Sequence, residues 1–389
     1  MTVLDKVNIG IVGAVGRGKS FAVPFEANGA RILAVCDIQA DKLDEVARTL
    51  GAEETYVSFE EMIEKSDLDA VAIGTPMPFH VPQAILALKK GLHVLSEVPA
   101  GVSIEECRCL AKACAQSRAV YMMAENYTYM KTNTVVRELA AQGLFGTVYY
   151  AEGEYLHELK GLNEVTRWRR KWQTGVDGVT YGTHSLGPIL QWMPGDRVVS
   201  VCCAGSGHHY RDARGDEYEN EDTCVMLCKT AGGALIKIRV DMLSDRPHAM
   251  TNYQLQGTDG AYESSRNGPG DVPKLWLRAL SDDAKWFDMD TLLALDDFRE
   301  RYLPAFWRDA SPEARRAGHG GGDYFQIGDF LRAIRGEAPC PVGIHEALDM
   351  TLPGLVSQQS IRQGGAWLDV PDSREWVKPA DERPTDPEE

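Results

Sequence analysis

The sequence predicts an α/β fold in two domains, and three observations carry that prediction. Short, wholly apolar strands alternate with amphipathic helices over about the first 120 residues. A glycine-rich turn joins the first strand to the segment after it. Beyond about residue 125 the pattern changes to longer strands with few helices between them. The early strands are Val7 to Val12, Arg31 to Cys36, Ala70 to Ile73, His93 to Leu95 and Ala119 to Met123. Helical periodicity covers Lys42 to Leu50, Phe59 to Lys65, Pro82 to Lys90 and Ile104 to Gln116. Continuous apolar strands between amphipathic helices read as a doubly wound parallel sheet. Ser103 with Glu106 three residues on predicts a capping box at the start of the last of these helices.

The later strands are Val148 to His157, Val198 to Ala204, Thr223 to Lys229, Ala234 to Met242 and Tyr253 to Gly257. They predict a mostly antiparallel sheet. Helical patterns return over Asp323 to Arg335 and Ile344 to Gln363. From Pro371 the chain is rich in Pro, Asp and Glu and reads as a solvated tail.

The composition, with 44% hydrophobic and 25% charged residues, suits a globular protein. A formal net charge of −16 argues against nucleic acid as a partner. No stretch of about 18 apolar residues predicts a membrane span. The chain opens MTVLDKVNIGIVG, straight into a strand and without the layout of an export signal, so a cytoplasmic location is expected. The nine cysteines form no CxxC pair and are expected to be reduced thiols. Cys202, Cys203, His208 and His209 are the nearest thing to a zinc set. Adjacent side chains on a strand face opposite sides, so no metal is expected.

Gly13-Ala14-Val15-Gly16-Arg17-Gly18-Lys19-Ser20 matches the P-loop pattern literally. It also resembles a dinucleotide-binding turn, with Gly13 and Gly18 as the outer glycines and Val15 in place of the middle one. Asp37 decides between them. It closes the second strand, where a carboxylate accepts hydrogen bonds from the adenine ribose hydroxyls. The same carboxylate repels a 2′-phosphate, so NAD is expected rather than NADP. Gly13, Val15, Gly16, Arg17, Gly18 and Asp37 are the cofactor-binding candidates.

Further segments point to a family. They are Gly74-Thr75-Pro76 with His80, Gly91-Leu92-His93-Val94, Glu97-Val98-Pro99 and Glu125-Asn126. With the glycine loop, they make the chain resemble the Gfo/Idh/MocA oxidoreductases. That resemblance implies an N-terminal Rossmann dinucleotide-binding domain over 1–125. It implies an α+β domain with a large, mostly antiparallel open sheet over 126–370, the acidic Pro-rich tail being 371–389. It also implies that Thr75, Pro76, His80, Glu97, Val98 and Asn126 border the cofactor, and that the chain forms a homodimer or homotetramer.

Dehydrogenases of this family usually carry a proton-moving lysine where this chain has Val98. They often carry an aspartate where it has Thr180, four residues before His184. Of that trio only the histidine remains. Tyr181-Gly182-Thr183-His184-Ser185-Leu186-Gly187-Pro188, Glu152-Gly153-Glu154-Tyr155-Leu156-His157 and Gly318-His319-Gly320-Gly321-Gly322-Asp323 resemble the NAD-dependent glycosidases of glycoside hydrolase family 109. Such an enzyme oxidises sugar carbon 3 transiently, eliminates the anomeric substituent, adds water and re-reduces the ketone. It needs no pair of catalytic carboxylates.

In that chemistry His184 is the candidate base at the carbon-3 hydroxyl, because imidazole titrates near neutral pH. Tyr181 is the candidate for proton transfer at carbon 2. Both fall in a glycine-rich segment, Gly175 to Gly187, read as a loop. Tyr127, Glu154, His157 and His319 are expected to line the sugar site. In the run Arg167 to Trp172, Trp168 and Trp172 can stack on sugar rings, and Arg169 can grip an anionic group. A small carbohydrate or glycoside is the expected substrate. The competing readings are a net sugar or cyclitol dehydrogenase, a P-loop nucleotide hydrolase and a non-catalytic NAD-binding regulator.

Overall fold

The computed structural model describes residues 6–247, 249–266 and 270–377. The chain divides into two compact units. The first holds described residues up to Ala124, with Asp329–Leu352 and 371–377; the second holds Glu125–Gly328 and Pro353–Val370. The expected single block over 126–370 is therefore interrupted, because 329–352 groups with the first unit. Helical periodicity located this segment but says nothing of which core it joins.

In the first unit, β1 (Asn8–Val12), β2 (Arg31–Cys36), β3 (Glu54–Tyr56), β4 (Ala70–Ile73), β5 (His93–Ser96) and β6 (Tyr121–Met123) form one parallel sheet in the order β3-β2-β1-β4-β5-β6. This is the strand order of a Rossmann dinucleotide-binding domain. Helices cover the strands, and Ile9, Ile11 and Ala70 through Ile73 are fully buried, which explains their unbroken apolar runs. β3 escaped the sequence reading because it is a three-residue edge strand with no buried residue. Half of the expected capping box forms at the helix Ile104–Gln116: Ser103 Oγ accepts from Glu106 N at 3.2 Å, while the Glu106 carboxylate accepts from Val102 N, one residue before the cap.

Residues 371–377 depart from the expected tail. Ser373–Trp376 is a 3₁₀ turn with Ser373 buried. Arg374 pairs with Asp349 at 2.8 Å, and Trp376 lies 5.3 Å from the Arg108 guanidinium. An arginine and a tryptophan with partners outweigh the local polar composition. The rest of the expected tail, 378–389, lies outside the described residues.

The second unit is built on nine strands: β7 (Val148–Leu156), β8 (Val198–Gly205), β9 (Thr223–Thr230), β10 (Leu235–Asp241), β11 (Met250–Gly257), β12 (Gly260–Glu263), β13 (Lys274–Leu277), β14 (Phe287–Asp288) and β15 (Leu368–Asp369). Their order is β14-β13-β12-β11-β7-β10-β9-β8-β15. Among the described residues only the β7–β10 pair is parallel; the other pairs are antiparallel.

Alternation along the strands separates two faces. One carries Ala151, Gly153, Tyr155, Ile236, Ile238 and Tyr253, all buried. The helix Thr183–Trp192 lies on this face. Gly153 permits the approach, since a Cβ there would stand 2.4 Å from the Ser185 carbonyl oxygen. The opposite face is polar, with Tyr150, Glu152, Glu154, Lys237, Arg239, Asn252 and Gln254.

Candidate active site

In the first unit the glycine loop packs backbone against backbone. Gly13 is left-handed (φ +75°), and a Cβ on it would meet the Gly74 carbonyl oxygen at 2.6 Å. A Cβ on Gly18 would meet the Gly13 oxygen at 2.8 Å, and one on Gly74 would meet the Gly18 Cα at 2.5 Å. Side chains are thus excluded where the pattern demands glycine. Asp37 closes β2 with its carboxylate turned to the loop: Oδ2 accepts from Val15 N at 2.9 Å and Oδ1 from Gln39 N at 3.1 Å. Each oxygen keeps a further lone pair for a ribose hydroxyl. The glycine cradle and this carboxylate fit a dinucleotide.

Several predicted cofactor contacts are narrower than expected. The N–H groups of Val15, Gly16 and Gly18 go to Asp37 or to the Gly13 carbonyl. The Arg17 guanidinium is held by Glu97 at 2.6 Å and by Ser20. Thr75 Oγ1 donates to Gln83, and Pro76 leads into the turn Met77–Phe79. His80 is 1% exposed, and its two ring nitrogens face the carbonyl oxygens of Pro99 and Thr75. It ties two loops together through both ring nitrogens. Val98 is a buried aliphatic residue at the place where lysine is usual.

The second unit gathers the catalytic candidates. His184 is not in a loop, as expected, but in the first turn of the helix Thr183–Trp192. The glycines before it hid that start. Its Nδ1–H donates to Oε1 of Glu125 at 2.7 Å. Glu125 is fully buried, and its Oε2 has no hydrogen-bond partner among the described residues. A buried carboxyl without a partner is costly, so the pair stabilises both members in place. The bond selects the tautomer that leaves Nε2 as the acceptor.

Three tyrosines surround this imidazole. The Tyr127 ring is 4.3 Å away between centroids, and Tyr155 and Tyr181 are each 5.5 Å away. Tyr155 also contacts Tyr181 at 5.5 Å, and its hydroxyl meets His157 Nδ1 at 2.7 Å. Burial holds the Tyr155 phenol well above its usual pKa. Tyr181, Tyr127 and Glu125 push the same way, and the positive charge of Arg169 opposes them. Arg169 therefore acts electrostatically on the cluster from the short helix Trp168–Trp172, where it also lies over the Trp168 ring and bonds Gln173. Trp172 lies beneath Lys171. Thr180, in place of the family's aspartate, is buried, and its hydroxyl has no partner among the described residues.

His319 joins the same neighbourhood from a distant stretch of chain. Its ring is 5.9 Å from Tyr127, and its Nδ1 lies 3.0 Å from Asp323 Oδ2 and 2.9 Å from Asn126 Nδ2. Asn126 Nδ2 donates to the other Asp323 oxygen at 2.9 Å. Asn126 thus anchors this pair, and its buried Oδ1 has no hydrogen-bond partner among the described residues. His319 has φ +54°, a conformation that costs a non-glycine residue about 1–3 kcal/mol.

Glu154 is a correction. It lies on the polar sheet face, opposite to Tyr155, where it accepts from Asn252 at 2.9 Å with Arg239 and Arg266 nearby. Residues 154 and 155 are neighbours in sequence, and strand alternation sends them apart. Glu125, Asp323 and Tyr155 were not singled out by sequence reading. All three stood in the quoted segments, but nothing local showed that carboxylates would meet imidazoles. Among the described residues no three His, Cys, Asp or Glu side chains gather as a metal site.

A six-stranded dinucleotide sheet with a glycine loop and strand-end aspartate, joined to a unit that clusters imidazoles and phenols, defines an NAD-dependent enzyme of the Gfo/Idh/MocA type. The model for the oxidoreductase family with an NAD-binding Rossmann fold matches residues 7–125, and that for the C-terminal domain of glycosyl hydrolase 109 matches residues 129–378. The chain belongs to glycosyl hydrolase family 109. It is 30% identical to a glycosyl hydrolase family 109 protein of Saccharopolyspora erythraea, covering 95% of this chain and 83% of that one. It is 27% identical to an alpha-N-acetylgalactosaminidase of Shewanella oneidensis, covering 95% and 85%. Among solved structures, levoglucosan dehydrogenase with NADH and L-sorbose matches with a TM-score of 0.78 at 19% identity, covering 95% of this chain and all of that one. The WlbA dehydrogenase of Bordetella pertussis, solved with NADH and UDP-GlcNAcA, matches at 0.75 and 21%, covering 95% and 99%. These two likenesses bear on the fold alone. No helix among the described residues is long and apolar enough to cross a membrane.

Proposed function

We propose that this chain is a redox-neutral glycosidase, acting by oxidation at sugar carbon 3, elimination, water addition and re-reduction. The observation that carries the reading is the His184 cluster: an imidazole held by a buried carboxyl and ringed by Tyr127, Tyr155 and Tyr181. NAD, which the glycine loop and Asp37 would hold, would supply the hydride acceptor and donor for carbon 3. His184 Nε2 takes the proton of the carbon-3 hydroxyl, and Glu125 fixes the ring for it. With carbon 3 a ketone, the hydrogen on carbon 2 is acidic, and Tyr181 moves it. Tyr127 and His157 line the sugar, with Arg169 offering a cation to an anionic substituent. Val98 cannot exchange a proton, which leaves that work to the imidazole and the phenols. The glycosidase relatives support the same reading. The polar face of the second unit's sheet, with its paired charges, fits self-association into a homodimer or homotetramer.

Proton NMR in deuterated water tests the reaction. The purified protein is incubated with NAD and a panel of α- and β-4-nitrophenyl glycosides of hexoses and N-acetylhexosamines. Free sugar carrying deuterium at carbon 2, without accumulation of NADH, is the expected result. Oxidised sugar with stoichiometric NADH would make the chain a net dehydrogenase instead.

A further inference from the structure

We propose that His319, clamped by Asp323, hands the departing aglycone its proton; the inference rests on the redox-glycosidase reading. That reading uses His184 and Tyr181 for the protons at carbons 3 and 2 and leaves the anomeric oxygen unserved. When the carbon-1–oxygen bond breaks, its electron pair goes to that oxygen. For an unactivated alcohol this alkoxide is a poor leaving group without an acid.

Here the cluster holds a second imidazole–carboxylate pair, in which the ring nitrogen also meets the Asn126 amide. His184 is held through Nδ1 by Glu125, and His319 through Nδ1 by Asp323. Tyr127 touches both rings, at 4.3 and 5.9 Å. Asp323 is 2% exposed, whereas the His319 side chain is 32% exposed. The carboxylate thus orients the ring through Nδ1, and the partly exposed imidazole is left to act through Nε2.

The surrounding glycines let the chain pack closely about Asp323, Trp307 and Asn126. A Cβ on Gly318 would stand 2.3 Å from the Asp323 carboxylate. One on Gly321 would stand 2.6 Å from the Trp307 ring, and one on Gly322 2.7 Å from the Asn126 carbonyl oxygen. The chain closes around the Asp323 clamp, and His319 accepts a left-handed backbone to stay in it.

The step balances. Tyr181 takes the carbon-2 proton, the carbon-1–carbon-2 double bond forms, and the carbon-1–oxygen bond breaks. The aglycone oxygen takes the Nε2 proton of His319. In the return, His319 takes a proton from the water that adds to carbon 1, and Tyr181 gives carbon 2 its proton back.

The test compares methyl and 4-nitrophenyl glycosides of the sugar that the panel above identifies, in wild type, His319→Gln and Asp323→Asn. Turnover is read beside carbon-2 deuterium exchange on the 1-deoxy sugar, which has no leaving group. The methyl glycoside should lose about 100-fold or more in kcat/KM in both variants, the scale of a lost general acid. The 4-nitrophenyl glycoside, whose leaving group needs little protonation, should lose less than about tenfold. Exchange on the 1-deoxy sugar should persist, which also reports an intact fold. An equal loss on both glycosides, or loss of exchange, would overturn the assignment to His319. Wild-type cleavage without deuterium at carbon 2 would instead overturn the redox-glycosidase reading, and the acid role with it.

Discussion

Glu125 and His184 stand 59 positions apart in the chain, and their side chains meet at 2.7 Å. His184 was legible from its string of neighbours, but its partner was not, because a hydrogen bond between distant segments leaves no local pattern. Glu125 is a positioning residue in the proposed reaction: it holds the imidazole and need not touch the sugar. Glu125→Gln keeps an oxygen acceptor of nearly the same shape and removes the carboxylate. kcat should fall about 100-fold, while KM and the NAD dissociation constant stay within about threefold, a change of under about 1 kcal/mol. A variant that loses NAD affinity or raises KM with kcat intact would mean Glu125 only supports the fold. Glu154 teaches the converse lesson. It sits in the most suggestive strand string, and a two-residue period sends it to the other face.

At the scale of elements, β1, the glycine loop and β2 form one device. Gly13 and Gly18 allow the loop to turn against Gly74, and Asp37 at the end of β2 holds Val15 N while keeping lone pairs for a ribose. A P-loop would share the glycines, but the strand order and Asp37 separate the two readings. Asp37→Ala should weaken NAD binding by about 10–100-fold, since hydrogen bonds to a charged group are worth about 1.5–3 kcal/mol. NADP should gain relative to NAD once the carboxylate is gone. Asp37→Asn retains an acceptor for Val15 N and separates loop support from ribose recognition. Isothermal titration with both cofactors reads all of this; unchanged NAD affinity in Asp37→Ala would sink the assignment. The helix carrying His184 is a second device, seated on β7 through Gly153.

At the scale of the molecule, each unit is built on one sheet, and the second unit's sheet has a polar face whose side chains are half-buried or buried. That face is lined with matched charges, Lys237 against Glu152 and Arg239 against Glu154 and Asp241. Pairs that neutralise one another within a face let it meet a second copy without net repulsion. Light scattering should give the mass of two or four chains. A single-chain mass at micromolar concentration would remove the oligomer from the proposal.

Period and punctuation alone determined much of this protein. The apolar runs of β1, β2, β4 and β5, the helices between them, the glycine turn and Asp37 are local signals, because each is set by neighbours within a few residues. The long strands of the second unit were legible for the same reason, whereas β3, β12 and β13 are too short to show a period. Only the tertiary structure decided what those elements bring together. It set Glu125 on His184 and Asp323 on His319, turned Glu154 away, spent both nitrogens of His80 on carbonyls and drew 329–352 into the first unit. Backbone preference is written residue by residue, but a buried carboxyl chooses its partner by the cost of having none, and that choice is made across the whole fold.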